Sequence, residues 1–316
     1  MACTSETGAL AQSICPLCER RGTIYCQATD IEYFTTSAVF DFYLCSDCDL
    51  LYIHPVPSDR LDQIYPANYY SFVEGRSKSI VIRLKEALDA RAFRAFLQRI
   101  PGDSVKVLDA GGGTGWLAGL LRDTDPRVEA TQIVDIDPGA RAGAERNGHG
   151  FFCGRIEEFE SAEQYQAILM LNLIEHVADP VGVLRKAKSL LAPGGRIYIK
   201  TPNFRALDAW LFRHRNWGGY HCPRHFVVFS RESLCAAAAN AGLTVDHFEF
   251  TQGAPFWSVS VLEMFRRWGL VAVSAERPAI YHPVMPLLQA AGAAFDFARK
   301  PFSRLSQMIV VLSGEP

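Results

Sequence analysis

The chain has 316 residues, 49% of them hydrophobic and 21% charged, which suits one large α/β domain with a small appended module. Its 32 Lys+Arg against 34 Asp+Glu leave a net charge of -2, a balance that argues against a protein built to grip a phosphate backbone. The polar start MACTSETGALAQS lacks the basic and apolar regions of a signal peptide, and no apolar run reaches the ~20 residues of a membrane span, so a cytoplasmic location is expected.

Four of the nine cysteines form two equally spaced pairs, Cys15-Pro-Leu-Cys18 and Cys45-Ser-Asp-Cys48. In an intracellular chain such pairs read as metal ligands rather than disulfides. Two knuckles of this kind complete the tetrahedral four-thiolate shell of a structural Zn2+, which leaves no open position for catalysis. A redox CxxC is the rival reading, but it calls for one pair beside a βαβ unit. The 26 residues between the pairs carry apolar patches, Ile31-Glu32-Tyr33-Phe34 and Val39 to Leu44, that suit ribbon strands. A proline- and tyrosine-rich connector follows over 55–75. The module and connector are therefore expected over 1–75, with the main domain over 76–316.

Apolar residues at helical spacing predict a helix from Ser79 to Ile100, ended by Pro101-Gly102-Asp103. From there strands and helices alternate. Strands are expected at Val105–Asp109, Thr131–Asp135, Phe151–Cys153, Gln166–Leu173 and Arg196–Lys200. Helices are expected at Trp116–Arg122, Pro138–Asn147 and Val181–Leu191. This pattern implies a parallel sheet covered on both faces. A helix over Arg231–Ala241 precedes extended segments at Leu243–Phe250 and Gln307–Leu312. No helical crossover of the βαβ type joins those two, so the last strand is expected to run antiparallel. Two segments interrupt the alternation: a Trp-, His- and Arg-rich connection, expected to act as a lid over 203–230, and an apolar insert over 253–304. The insert reads as a helical cover, an oligomer contact or plain surface packing. A membrane-surface role is a further option, from its flanking Arg266, Arg267, Arg299, Lys300 and Arg304.

The segment Val107-Leu108-Asp109-Ala110-Gly111-Gly112-Gly113-Thr114-Gly115 ends the first strand of the alternation in four glycines. In an open α/β sheet this is the edge where ligands bind. Gly111, Gly113 and Gly115 permit close approach of the backbone to a ligand. Asp109, ahead of the glycines, disfavours a diphosphate and welcomes a cationic or amine-bearing group. Asp135 ends the next strand, where a carboxylate can take both hydroxyls of a ribose. Each aspartate alone could instead cap a turn or helix.

VLDAGGGTG, then IVDIDP, LNLIEHVADP and LLAPGGRIYIKTPN, resemble in order and spacing the motif series of class I S-adenosylmethionine-dependent methyltransferases, over about residues 100–250. HCPRHFVVFSRESLCAAAANAGLTV and the CPLC…CSDC preface resemble small-molecule members with a zinc ribbon, sugar C-methyltransferases among them. The resemblance implies a Rossmann-like, seven-stranded α/β sheet with an antiparallel last strand, plus the small N-terminal zinc ribbon. It also implies S-adenosyl-L-methionine as cofactor. Asp109 would neighbour the methionine amino group, and Gly111 and Gly113 would line the methionine and ribose. Asp135 would accept the ribose hydroxyls, Ile136 would pack on adenine, and Asn172 would close the methionine side. The segment Cys153 to Glu158 departs from the family, which often places an acid there; Ile156 is expected only to pack.

Methyl transfer from a sulfonium requires positioning of the acceptor and removal of its proton. Histidine titrates in the right range. His176, His225 and His221 are the candidate bases, each with a bland alternative as a cap or lid support. A metal held by these histidines is disfavoured by the lack of a carboxylate partner. Tyr69 and Tyr70 in the connector are placed to fold over the cleft, Tyr70 and Tyr220 are candidate acceptor contacts, and Tyr65 is a core residue. The expected activity is methyl transfer to a small molecule, plausible acceptors being a sugar, nucleotide-sugar or natural-product intermediate. The alternative is an RNA methyltransferase whose zinc ribbon binds nucleic acid. A homo-oligomer formed through the apolar insert is the protein partner considered.

Overall fold

The computed structural model describes residues 13–58, 60–66, 69, 80–214 and 217–314. The N-terminal sheet has β1 (Thr23–Ala28), β2 (Phe40–Cys45) and β3 (Leu50–Ile53), paired antiparallel in that order. A short α1 (Leu61–Ile64) and the long α2 (Ile80–Leu97) lead into the main sheet. There β4 (Val105–Ala110), α3 (Trp116–Arg122), β5 (Val128–Asp135), α4 (Ala140–Arg146), β6 (Gly150–Cys153), β7 (Tyr165–Leu171), α5 (Pro180–Leu190) and β8 (Leu191–Pro202) alternate as the sequence predicts. The 203–230 segment, expected to act as a lid, holds α6 (Leu207–Leu211) and β9 (Val227–Val228) and is buried throughout from Trp217 to Ser230, packed into the body. After it come α7 (Arg231–Asn240), β10 (Thr244–Thr251), α8 (Ala254–Arg267), α9 (Met285–Arg299) and β11 (Gln307–Ser313).

Seven strands lie in the order β10-β11-β8-β7-β4-β5-β6. β4 through β8 pair parallel, whereas β11 runs antiparallel to both β8 and β10. The side-chain alternation of a strand divides the core in two. Val105, Val107, Ala167, Leu169, Tyr198, Ile309 and Val311 point to the α2/α3 face. Leu108, Ala110, Ile168, Met170, Ile197, Ile199, Met308 and Val310 point to the face covered by α5 and α7. Strand order reverses between β4 and β7, which makes the ends of these two strands the expected ligand crevice.

The ribbon is bound into this body. Its fourth strand is β9, from the far side of the lid, which pairs antiparallel with β3. Residues of β1 to β3 share one core with Phe204, Trp217, Tyr220, Phe226 and Val228. The predicted strand at Ile31–Phe34 is instead a loop. Asp30 explains it: its carboxylate accepts the N–H groups of Glu32 (3.2 Å), Tyr33 (3.0 Å) and Thr35 (2.9 Å), which curls the backbone away from a ladder. The same carboxylate meets the Arg224 guanidinium at 2.8 Å, with both side chains 0% exposed. Arg224 also donates to the carbonyl of Ile64 at 2.7 Å. Burial alone would push the Asp30 carboxyl up, but the guanidinium and the donated hydrogen bonds outweigh it and hold it at about 2.

Replacing Asp30 by Ala leaves the Arg224 charge buried without its partner and should cost about 3–5 kcal/mol, read by urea denaturation. The apolar double variant Asp30→Leu/Arg224→Met should recover most of that loss; equal loss in both would show that the pairing is not what matters. Because the carboxyl is held below its ordinary 3.8, its contribution is full above that pH and fades as pH falls through about 2.

Candidate active site

The glycine turn is shaped by its surroundings. Gly111 and Gly113 have φ of 74° and 54°, in the left-handed region that side chains rarely adopt. Gly112 lies over the strand end so closely that a Cβ there would sit 2.6 Å from a carboxylate oxygen of Asp109. Asp109 itself is buried beneath the turn. Burial and the Asp135 charge push its carboxyl up to about 8. Asp135 accepts the N–H of Gly113 at 2.8 Å and that of Asp137 at 2.9 Å, so it pins the glycine turn to the end of β5. Burial also raises its carboxyl above the ordinary range.

These residues form one end of a cleft of about 1740 Å³. Gly111, Gly113, Asp135, Ile136, Ile156 and Asn172 all line it. Ile136 is 49% exposed, whereas Ile156 is buried in the wall. Asn172 sits at φ 56° just past β7, its N–H on the Lys200 carbonyl at 2.8 Å and its side-chain oxygen taking a hydrogen bond from Gln307 at 3.1 Å. Asp109 is not in the wall: it supports the turn from below.

At the other end of the cleft the three predicted histidines meet. Ring centroids are 4.7 Å apart for His176 and His225, 5.0 Å for His221 and His225, and 5.9 Å for His176 and His221. His225 donates Nδ1–H to the Gly219 carbonyl at 2.9 Å. His176 Nδ1 lies 3.0 Å from the Arg224 carbonyl and 2.9 Å from the Tyr65 hydroxyl. Burial, aided by the His221 charge, pushes His176 down to about 3; burial and both neighbouring histidines push His225 well below its ordinary value. His221 differs from both: its Nδ1 is 2.8 Å from Glu32 and its Nε2 is 3.0 Å from the Tyr69 hydroxyl.

A carboxylate does sit among the histidines, contrary to the sequence reading. Glu175 is fully buried. One oxygen accepts from Thr201 at 2.9 Å, and the other has no hydrogen-bond partner among the described residues and lies 3.9 Å from His225 Nε2. Burial raises it to about 8, which keeps it a neutral acid over most of the physiological range. The adjacency Glu175-His176 was visible in the sequence, but not that both face one cavity.

Tyr220 corrects its assignment. It is buried against Phe42 and Trp217, and its hydroxyl donates to the Arg213 carbonyl at 2.8 Å; its ring belongs to the core between ribbon and lid and does not line the cleft. Tyr70 lies outside the described residues. Tyr65, expected in the core, lines the cleft, as do Tyr69 and Glu32. From the insert, Phe256, Val259 and Met285 line the same space, while Trp268, Leu270, Leu287 and Phe302 remain exposed on its outside.

The cysteine pairs converge. Cys15 and Cys48 sulfurs are 3.5 Å apart, Cys18 and Cys45 sulfurs 3.4 Å, and all four fall within 4.8 Å of one another. Each knuckle closes in the same way. Glu19 N–H bonds the Cys15 carbonyl at 3.0 Å and Asp49 N–H the Cys45 carbonyl at 2.9 Å, with Glu19 and Asp49 both left-handed at φ 60° and 57°. Among the described residues no helix is long and apolar enough to cross a membrane.

Against known proteins, the chain is 35% identical over 133 residues to a ubiquinone biosynthesis O-methyltransferase of Parvibaculum lavamentivorans, covering 40% of this chain and 48% of the relative. It is 34% identical over 161 residues to the enzyme of that name from Methylocella silvestris, covering 46% and 60%. The chain thus spans about half the length of the curated relatives it matches. Among solved structures, a coclaurine N-methyltransferase bound to N-methylheliamine and SAH shares the fold, with a TM-score of 0.51 and 15% identity over 82% of this chain and 81% of that one. A methyltransferase-domain family profile matches residues 83–248. With the seven-stranded order and the glycine turn on β4, that match places the chain in the methyltransferase domain family.

Proposed function

We propose that this protein moves a methyl group from S-adenosylmethionine to a protic group on a small molecule, a sugar or natural-product intermediate being the acceptor class the sequence favours. The observation that carries it is a single cleft with two unlike ends. One end is bare glycine backbone with a ribose-sized carboxylate grip at Asp135, and the other is a cluster of histidines, tyrosines and carboxyls. Its volume of about 1740 Å³ exceeds the ~300–1,000 Å³ of a one-ligand pocket, which suits cofactor and acceptor side by side. The O-methyltransferase names of the relatives favour an oxygen acceptor. The cofactor supplies an already activated methyl on a sulfonium. The chain's part is to hold ribose through Asp135, cover adenine with Ile136 and Ile156, close the methionine side with Asn172, and take the acceptor's proton within the histidine cluster. The insert side chains Phe256, Val259 and Met285 wall the acceptor end, which favours a compact ligand over an RNA strand. Cys15, Cys18, Cys45 and Cys48 hold a structural zinc. A tetrahedron of ~2.3 Å Zn–S bonds separates sulfurs by about 3.8 Å, close to the spacing found.

Incubation with methyl-labelled cofactor and a panel of sugars, nucleotide-sugars, catechols and RNA should label a small acceptor, with mass spectrometry locating the methyl on oxygen; label confined to RNA would overturn this reading. Asp135→Ala should weaken binding of S-adenosylhomocysteine by about 1–3 kcal/mol through loss of charged hydrogen bonds, and unchanged calorimetric affinity would remove Asp135 from the site. Metal analysis should give about one zinc per chain, lost in Cys45→Ser together with ribbon stability. Full zinc content in that variant would refute the ligand set.

A further inference from the structure

We propose that Tyr69, His221 and Glu32 form a proton-relay triad for methyl transfer, with the carboxylate supplied by the N-terminal ribbon; this rests on the methyltransferase reading above. The three come from separate parts of the chain: the ribbon loop, the connector and the lid. All three are buried and all three line the cleft. A carboxylate accepts, so at 2.8 Å from Glu32 the His221 Nδ1 carries the proton. Nε2 is then the bare acceptor, and the Tyr69 hydroxyl 3.0 Å away donates to it. Hydroxyl to Nε2 and Nδ1 to carboxylate is the connectivity of a hydroxyl–imidazole–carboxylate triad, recognised by geometry and roles rather than by order in the chain.

The neighbouring histidines lack this arrangement. His225 and His176 spend Nδ1 on backbone carbonyls, and burial disfavours a proton on either ring. Among the described residues, His221 is the histidine of the cluster with a carboxylate at hydrogen-bond distance, whereas Glu175 stands 3.9 Å from His225. Its backbone is held in the left-handed region at φ 38°, a conformation a non-glycine residue keeps only where the surroundings impose it. Those surroundings are on both sides. Asp30 shapes the loop that presents Glu32, and the Glu32 carbonyl accepts the Ala279 N–H of the insert at 2.9 Å. Among the described residues, the groups facing His221 include Glu32, Tyr69, Tyr33, His176, His225 and the adjoining Arg224, whose charge is matched by Asp30.

The step balances as follows. The acceptor hydroxyl gives its proton to the Tyr69 oxygen while the Tyr69 proton moves to His221 Nε2. The acceptor oxygen forms its bond to the methyl carbon as the carbon–sulfur bond breaks, the electron pair staying on sulfur. The positive charge that leaves sulfur reappears on the imidazolium, where Glu32 neutralises it. Tyr69 is thus the catalytic residue, His221 the proton carrier and Glu32 a positioning residue.

Nitrogen NMR of histidine-labelled full-length protein, with the His221 signals assigned through His221→Gln, tests the triad without any acceptor. Wild type should show the Nδ1-protonated tautomer with its Nδ1–H proton shifted downfield by the carboxylate 2.8 Å away, and Glu32→Gln should move that resonance upfield as the charge-assisted hydrogen bond is lost. An Nε2-protonated ring, or an Nδ1–H resonance unmoved by Glu32→Gln, overturns the triad. In a second arm, 3,4-dihydroxybenzoate serves as methyl-acceptor probe. Tyr69→Phe and Glu32→Gln should each lower kcat by about 10²-fold or more, with S-adenosylhomocysteine affinity held within about twofold and partial rescue by Glu32→Asp. Wild-type kcat in both variants also overturns it. A wild-type protein that binds S-adenosylhomocysteine yet leaves this probe and the wider panel unmethylated counts against the methyltransferase reading instead, and the NMR result then decides the triad alone.

Discussion

The buried pair between Asp30 and Arg224 is the constraint around which the acceptor end of the cleft is arranged. Both side chains are withdrawn from water, and two opposite charges there hold only if every remaining hydrogen-bonding position is filled. Asp30 fills its positions with the N–H groups of its own loop, and Arg224 uses the Ile64 carbonyl. The pair therefore fixes three backbones at once: the ribbon loop, the end of α1 and the lid. His221 and His225 flank Arg224 within four residues, and Glu32 follows Asp30 by two. Geometry at the histidine cluster is inherited from this one pairing.

The cofactor end rests on a different balance. Two carboxyls at successive strand ends, Asp109 and Asp135, lie under and beside a turn of bare backbone. Each is disfavoured as an anion by burial. Asp135 recovers stabilisation from two backbone N–H groups, one of them in the turn itself. Asp109 lies against Gly112, where a side chain would collide with its carboxylate. A cationic ligand resting on this turn would favour the ionised form of both carboxyls, which matches the positive character of the proposed cofactor.

Much of the main sheet was legible because its signals are local. Strand and helix periodicities alternate cleanly from Val105 to Lys200 and glycines mark the turn after β4; β11 is antiparallel as expected, although the connection before it, expected to lack a helical crossover, holds α8 and α9. The paired cysteines likewise announce their cluster by spacing alone. What could not be read depends on residues far apart in the chain. Glu32 and His221 meet across 189 positions, and Tyr69 and His221 across 152. Ile31–Phe34 carries a strand-like composition, yet the Asp30 side chain outcompetes the ladder for its N–H groups. Tyr220 sits in a lid rich in functional residue types, but its ring finds a hydrophobic slot against Phe42 that no periodicity reveals. The Glu175 carboxyl escaped notice as a partner for the histidines because its nearest one, apart from His176, is fifty residues downstream.

The fourth ribbon strand has a consequence for how the molecule comes into being. β3 pairs along its outer edge with Val227 and Val228, which leave the ribosome long after the cysteine knuckles are complete. Until then the edge presents unsatisfied N–H and C=O groups beside buried-type residues such as Leu51 and Ile53, the kind of surface that recruits a stray strand. The interval covers strands β4 through β8, so early synthesis leaves an unfinished ribbon waiting for its last strand. Chain order, rather than module order, therefore sets when the outer edge of β3 is covered.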